Sequence, residues 1–304
     1  MPYLSARLAK ADWSLGAAKI CAPVPSPRNS AALASGLLPP MTYHISATKL
    51  QAYHRCAYAY YLRYERKVSS SDFYGSAALG NALHQALAQC HRDWHYRQPL
   101  PDMRWVHHCW EEHSTGLSDR QVTEGREILE RYYWNFIASE VAINQPLAVE
   151  GKIQGYLQVE ELEFSIVGRY DRIDFLTNGL ELIDYKSGRE MKLPEPTEID
   201  IQIGLYYLAL EQTYRQSLKF LSLLFLRSGE KIRFEATPEH QQQVRSIIGD
   251  LAVQLRHDRG WEPNPGKQCD RCTFARYCSA VTANPATIPE TTAKPQLQLA
   301  LNFA

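Results

Sequence analysis

Val167–Gly188, VGRYDRIDFLTNGLELIDYKSG, reads as two β-strands joined by a tight turn. Asn178-Gly179 separates two apolar-rich runs, and both residues tolerate positive φ, which makes the dipeptide a hairpin signal. Side chains of a strand alternate between its faces. In the second strand, Leu180 to Lys186, Asp184 and Lys186 therefore share one face and Tyr185 takes the other. The hairpin folds the first strand back on the second, so Asp171 is expected beside Asp184.

Two carboxylates meeting at a strand end make a hard-oxygen site suited to Mg2+ or Mn2+. A lysine next to them is no ligand for such an ion. It can position a water and help deprotonate it, or neutralise charge growing on a phosphate. That combination suits phosphodiester hydrolysis. The alternative for a lone D-x-K is a surface salt bridge.

The wider pattern narrows the choice. G-x-x-D-R-x-D (Gly168–Asp174) followed by I-D-Y-K-S-G (Ile183–Gly188) resembles the PD-(D/E)XK nuclease superfamily, specifically its RecB-like exonuclease branch. Gly80-Asn81-Ala82-Leu83-His84 is similar to that branch's G-x-x-x-H motif, and Gln202-Ile203-Gly204-Leu205-Tyr206 to its Q-x-x-x-Y motif. All stand in the family's order, over roughly Ile45 to Ser279. The resemblance implies an α/β, restriction-endonuclease-like fold with a mixed central sheet flanked by helices. It implies that Asp171, Asp184 and Lys186 are the catalytic core. His84, Asp171, Asp184 and the Tyr185 carbonyl would hold Mg2+ or Mn2+, and Gln202 and Tyr206 would steer the DNA strand.

Composition sets bounds. The 304 residues suffice for one large domain or two small ones. No apolar run approaches the ~20 residues needed to span a bilayer; Phe220 to Leu226 has strand length. Lys plus Arg (33) equals Asp plus Glu (33). Non-specific DNA affinity comes from neutralising phosphates, so this balance predicts modest affinity unless a partner delivers the strand. Seven cysteines, irregularly spaced and without a secretory signal, argue against a disulfide framework. Thiol chemistry or metal ligation in a reducing cytoplasm is the better reading.

Along the chain, residues 1–40 are rich in Ala, Pro and Ser and read as a disordered extension or a mis-called start, with Met41 opening the nuclease domain (41–282). Ser46 to Lys67 is expected to be one helix N-capped by Ser46, and Leu79 to Trp94 a second that carries His84. Residues 99–145 read as a helical insertion with no visible chemistry. Leu147 to Ile183 is strand-rich and opens with Glu150, which could add a carboxylate to the site or form a salt bridge at a strand edge. Glu198 to Tyr214 should be a helix placing Gln202 and Tyr206 one turn apart. Strands Leu218–Leu226 and Lys231–Ala236 and a helix Pro238–Arg259 follow.

Cys269, Cys272 and Cys278 form C-x-x-C-x5-C, and Cys56 is the candidate for a fourth ligand. One distal cysteine plus this run resembles the iron–sulfur staple of AddB-type and CRISPR-associated members of the branch, which implies a [4Fe–4S] cluster; Zn2+ is the alternative occupant. Cys21, Cys90 and Cys109 fit no ligand spacing. Residues 283–304 read as a disordered tail. Its end, Gln298 to Phe303 (QLALNF), resembles a peptide that docks on the replication sliding clamp. The reading is therefore a divalent-metal-dependent DNA exonuclease acting on single-stranded ends in repair or recombination. The alternatives are the nuclease subunit of a larger repair or CRISPR-adaptation complex, and a non-catalytic DNA-binding scaffold. There is no Walker A motif, so a helicase would be a separate partner.

Overall fold

A computed structural model describes residues 42–69, 74–188, 200–214 and 217–289. The expected extension 1–40, with Cys21, and the expected clamp peptide 298–303 lie outside the described residues.

The sheet grows from β3 (Leu162–Leu176), whose 15 residues are enough to serve three neighbours. Along one edge it pairs antiparallel with β2 (Pro146–Val159) over almost its whole length. Its other edge is shared. Strand β1 (Thr42–Ile45) lies parallel to residues 163–166, and β4 (Gly179–Lys186) lies antiparallel to residues 172–176. Between those pairings, residues 167–171 of β3 have no strand partner on that edge among the described residues. Asp171 stands at the end of this gap. Strand β4 continues the sheet in parallel with β5 (Leu218–Phe225), which pairs antiparallel with β6 (Glu230–Glu235). The six-stranded sheet is mixed, as expected.

Alternation then divides the core in two. Helices α6 (Ile201–Tyr214) and α7 (Pro238–His257) cover one face, where Leu205, Leu208, Val244 and Ile248 pack with Ile166, Leu182 and Leu221. Helices α3 (Tyr74–Arg92), α4 (Met103–His113) and α5 (Asp119–Phe136) cover the other, packing Leu83, Leu87, Trp110 and Leu129 against Ile183, Tyr185 and Leu224. Residues 99–145 thus supply most of one covering layer of the domain. Asp102 caps α4 by accepting the Trp105 amide at 3.0 Å, and Ser118 and Gln121 form a capping box on α5.

Three expectations are corrected. The turn between β3 and β4 is Thr177-Asn178, with Leu176 opposite Gly179, and Gly179 supplies the positive φ (157°) that follows it. Strand β1 was not expected; its four residues are too short for period-two patterning to register. The helix expected over Ser46–Lys67 is broken at Cys56, which is extended (φ −167°, ψ 111°). It separates α1 (Ala47–Arg55) from α2 (Ala57–Tyr60), which runs on into a π-helical turn, Tyr61–Glu65. The break turns the Cys56 sulfur to the Asn264 amide, 208 residues away, instead of along a helix face. After α7 the chain makes 3-10 turns at Lys267–Arg271 and Ala275–Tyr277, and Phe274 and Tyr277 pack on Leu62 and Val68 in a third, small core. No helix among the described residues is long and apolar enough to cross a membrane.

Candidate active site

The ladder between β3 and β4 ends at Arg172–Ile183, one residue short of Asp171 and Asp184. Where the backbone pairing stops, a side chain replaces it: the Tyr185 amide donates to Asp171 Oδ2 at 2.6 Å. The other carboxylate oxygen, Oδ1, lies 3.0 Å from His84 Nδ1 on α3. Gly80, one turn before His84, lets the helix approach the end of β4; a Cβ there would lie 2.9 Å from Ser187 Oγ. Glu150 comes from β2, where its φ of 54° lies in the left-handed region that non-glycine residues rarely adopt. Ligand atoms of His84, Glu150 and Asp171 all lie within 4.8 Å of one another. One histidine nitrogen and two carboxylates at that spacing suit Mg2+ or Mn2+.

The other half of the site is an interlocked set. Lys186 Nζ is 2.9 Å from Asp184 Oδ2 and donates to Gln202 Oε1 at 3.0 Å. Gln202 Nε2 donates to Asp184 Oδ1 at 2.6 Å and to the Tyr206 hydroxyl at 3.2 Å. The one-turn spacing of Gln202 and Tyr206 is as expected. The Tyr206 ring lies over Gly168, where a Cβ would come within 3.1 Å of it. Asp184 and Lys186 do share a face, and Tyr185 points the opposite way into the core under α3 and α5.

Electrostatics follow from burial and proximity. Burial pushes the Asp184 carboxyl up to about 6 against the pull of Lys186, and the Asp171 charge adds to the rise. Burial works against a charged Lys186, but Asp184 and Asp200 outweigh it and raise its pKa, so the amine is an ammonium. Burial likewise opposes protonation of His84, and its hydrogen bond to Asp171, with the charges of Asp171, Asp184 and Glu150, carries the balance upward. Burial and the Asp171 charge raise Glu150. Four acids and one lysine in a small volume want positive charge.

Two residues near this site were not singled out from sequence. Asp200 caps α6, accepting the Ile203 amide at 3.0 Å, and lies 3.9 Å from Lys186 Nζ. Its signal was its place just before the Q-x-x-x-Y helix. Arg169 ties Glu150 down at 3.3 Å.

Cys56, Cys269, Cys272 and Cys278 line a single pocket together with Phe274, Pro263 and Val281. Backbone amides address two of the sulfurs: Asn264 donates to Cys56 at 3.5 Å and Gly266 to Cys269 at 3.4 Å. Cys90 and Cys109 are buried elsewhere, in the core under α3 and α4.

The profile of the PD-(D/E)XK nuclease superfamily matches residues 44–279. The chain belongs to that superfamily, and is a nuclease by family. A protein of Aeropyrum pernix named CRISPR-associated exonuclease Cas4 is 32% identical over 79 residues, which is 25% of this chain and 39% of that protein. The match thus spans about two fifths of this curated relative. Two solved structures are similar over most of the chain. SSO0001 has a TM-score of 0.41 at 14% identity, covering 81% of this chain and 90% of that one. A candidate exonuclease from Eubacterium rectale has 0.43 at 11%, covering 83% and 93%.

Proposed function

We propose that this chain is a divalent-metal-dependent DNA exonuclease of the RecB-like branch, hydrolysing phosphodiester bonds at single-stranded ends in repair or recombination. The observation that carries the proposal is the convergence of His84, Glu150 and Asp171 beside the Lys186–Asp184 pair. His84, Glu150 and Asp171 would hold Mg2+ or Mn2+, with Asp184 and the Tyr185 carbonyl next to them. The cation, when bound, supplies Lewis-acid polarisation of the phosphate and lowers the pKa of a water. Lys186, held as an ammonium, orients that water and offsets charge growing on the phosphate. Gln202 positions Lys186 and Asp184 by bonding to both, and Tyr206 positions Gln202.

In this reading Cys56, Cys269, Cys272 and Cys278, which line one pocket, would hold a [4Fe–4S] cluster, with Zn2+ as the alternative. Four thiols and two amides aimed at sulfur are a donor set for a soft metal centre. Bound there, it would tie the α1–α2 break to the C-terminal turns.

A second reading, a nuclease subunit within a larger repair or CRISPR-adaptation assembly, is favoured by the zero net charge and by the Cas4-named relative. A helicase and a sliding clamp are partners of this reading. The test is degradation of end-labelled linear single-stranded DNA with Mg2+ or Mn2+, using protein purified without oxygen, beside Lys186→Ala. Metal-dependent cleavage lost in the variant supports the enzyme. Wild-type protein that binds DNA without cutting it supports the subunit. Equal cleavage by both overturns the site.

A further inference from the structure

The motif G-x-x-D-R-x-D contains an arginine and a second aspartate that the proposed chemistry does not use. Arg172 and Asp174 are 6% and 3% exposed and form an ion pair at 2.8 Å. Removing two charges from water is costly, and such a pair is weak ground for stability. Arg172 has further partners. Its Nη1 donates to the Tyr185 hydroxyl at 2.9 Å and to the Tyr132 hydroxyl on α5 at 3.2 Å. Tyr132 in turn lies 2.7 Å from His91 Nε2 on α3. Burial, with the Arg172 charge beside it, lowers the pKa of His91, so its ring is neutral. Arg172 fills the Tyr132 oxygen as donor, and the Tyr132 hydroxyl proton is then free to go to His91.

Both ends of this chain of bonds lead to the site. Tyr185 is the residue whose amide holds Asp171. His91 is seven residues after His84 on the same helix, close to two full turns, so both project from one face of α3. The knot therefore links the three elements that must agree for His84 to meet Asp171: β3, β4 and α3.

We infer that Arg172 is a positioning residue, acting through Tyr185, Tyr132 and His91 to hold α3 and β4 in the register that brings His84 and Asp171 onto one cation. The inference deepens the metal-site reading above and rests on it. Groups one shell behind metal ligands typically change affinity by about 10–100-fold when removed.

The experiment is titration of Mn2+ into the full chain, reading free ion by electron paramagnetic resonance, with thermal unfolding measured on the same samples. Arg172→Ala would leave Asp174 buried and unpaired and could fail to fold. Tyr132→Phe and Tyr185→Phe instead keep each ring and delete one hydroxyl. Ile128→Val, in the same core on α5 and outside the knot, is the control for general loosening. The expected result is Mn2+ binding that is abolished by Asp171→Asn, weakened about 10-fold or more by each tyrosine variant, and unchanged in Ile128→Val despite its lower Tm. Wild-type affinity in both tyrosine variants, or equal weakening in Ile128→Val, overturns the positioning role alone. Wild-type protein with no Asp171-dependent Mn2+ binding overturns the metal-site reading, and the inference falls with it.

Discussion

The Tyr185 amide and the Asp171 carboxylate meet at 2.6 Å just where the backbone ladder of β3 and β4 gives out. Asp171 is thus fixed at Oδ2 by the sheet, and its Oδ1 faces His84. Asp171→Asn keeps the size of the side chain but sets an amide against a backbone N–H or against the cation. Nuclease activity should fall by at least about 100-fold, as for loss of one preorganised electrostatic group, with the Tm little changed. Rates on end-labelled DNA at saturating Mn2+ check this; activity within a few-fold of wild type would remove Asp171 from the site.

Lys186 is held as an ammonium by Asp184 and Asp200, so its use is charge and hydrogen bonding, not proton abstraction. Lys186→Met should cost about 100- to 1,000-fold in kcat while leaving Mn2+ affinity the same or tighter, because one cation is removed beside the acids. A parallel loss of Mn2+ affinity would show that the lysine supports the metal site itself.

Much of this site was legible because its residues sit at fixed offsets in strands and helices. Asp184 and Lys186 share a face by period two, and Gln202 and Tyr206 by one helical turn. Glu150 was readable only as an option. Its place beside His84 depends on a left-handed residue in β2, which no periodicity announces. Arg172 stood in the motif with no role read for it, and it is buried with three partners, Asp174, Tyr185 and Tyr132, the last brought over it by α5 from 40 residues earlier. The break at Cys56 was hidden for a similar reason: helix propensity favours continuity, and the partner that overrides it lies 208 residues on. Contacts of that range leave no local trace in a sequence.

Gly155 on β2 faces α6 so closely that a Cβ would lie 2.8 Å from both Cα and Cβ of Ala209. Helix backbone cannot rotate away as a side-chain end could. Gly155→Ala should therefore destabilise by about 1–3 kcal/mol, the usual cost of overpacking, and push α6 outward. Because Gln202 rides on α6, activity should drop more than the lost stability explains. Denaturant unfolding and the specific activity of the folded fraction measure the two effects; a neutral variant would mean that β2 and α6 are less tightly apposed.

Glu181, 1% exposed, is the acid with the clearest pH signature. Burial alone would raise its pKa, but hydrogen bonds from Arg233, Lys231 and Ser222 lower it to about 2 from 4.5. A depressed carboxylate pKa gives stability that is complete above the unfolded value and lost as pH falls toward the folded one. The loss should run from about pH 5 down to about pH 2, and amount to at most about 3 kcal/mol. Glu181→Gln should be less stable than wild type at pH 7 and show a shallower decline in Tm between pH 5 and pH 3. An identical decline in both proteins would assign the acid sensitivity to other carboxylates.

The cysteine pocket makes a prediction about folding as well as colour. Cys56 holds an extended conformation between two helices, and its sulfur faces a loop that also carries Cys269. Without an occupant to ligate, the Asn264 contacts to Cys56 and Arg55 would be left to oppose joining α1 and α2 into one helix. Cys56→Ala should lose the visible absorbance expected of protein purified without oxygen, lose soluble yield, and detach the turns around Phe274 and Tyr277 from Leu62. Limited proteolysis should then cut between α7 and Cys278. Cys109→Ala, which alters a buried thiol outside the pocket, should keep the colour. Colourless wild-type protein with stoichiometric zinc would replace the cluster with the ion and keep the staple. A Cys56→Ala protein with wild-type metal content, yield and protease resistance would overturn the staple altogether.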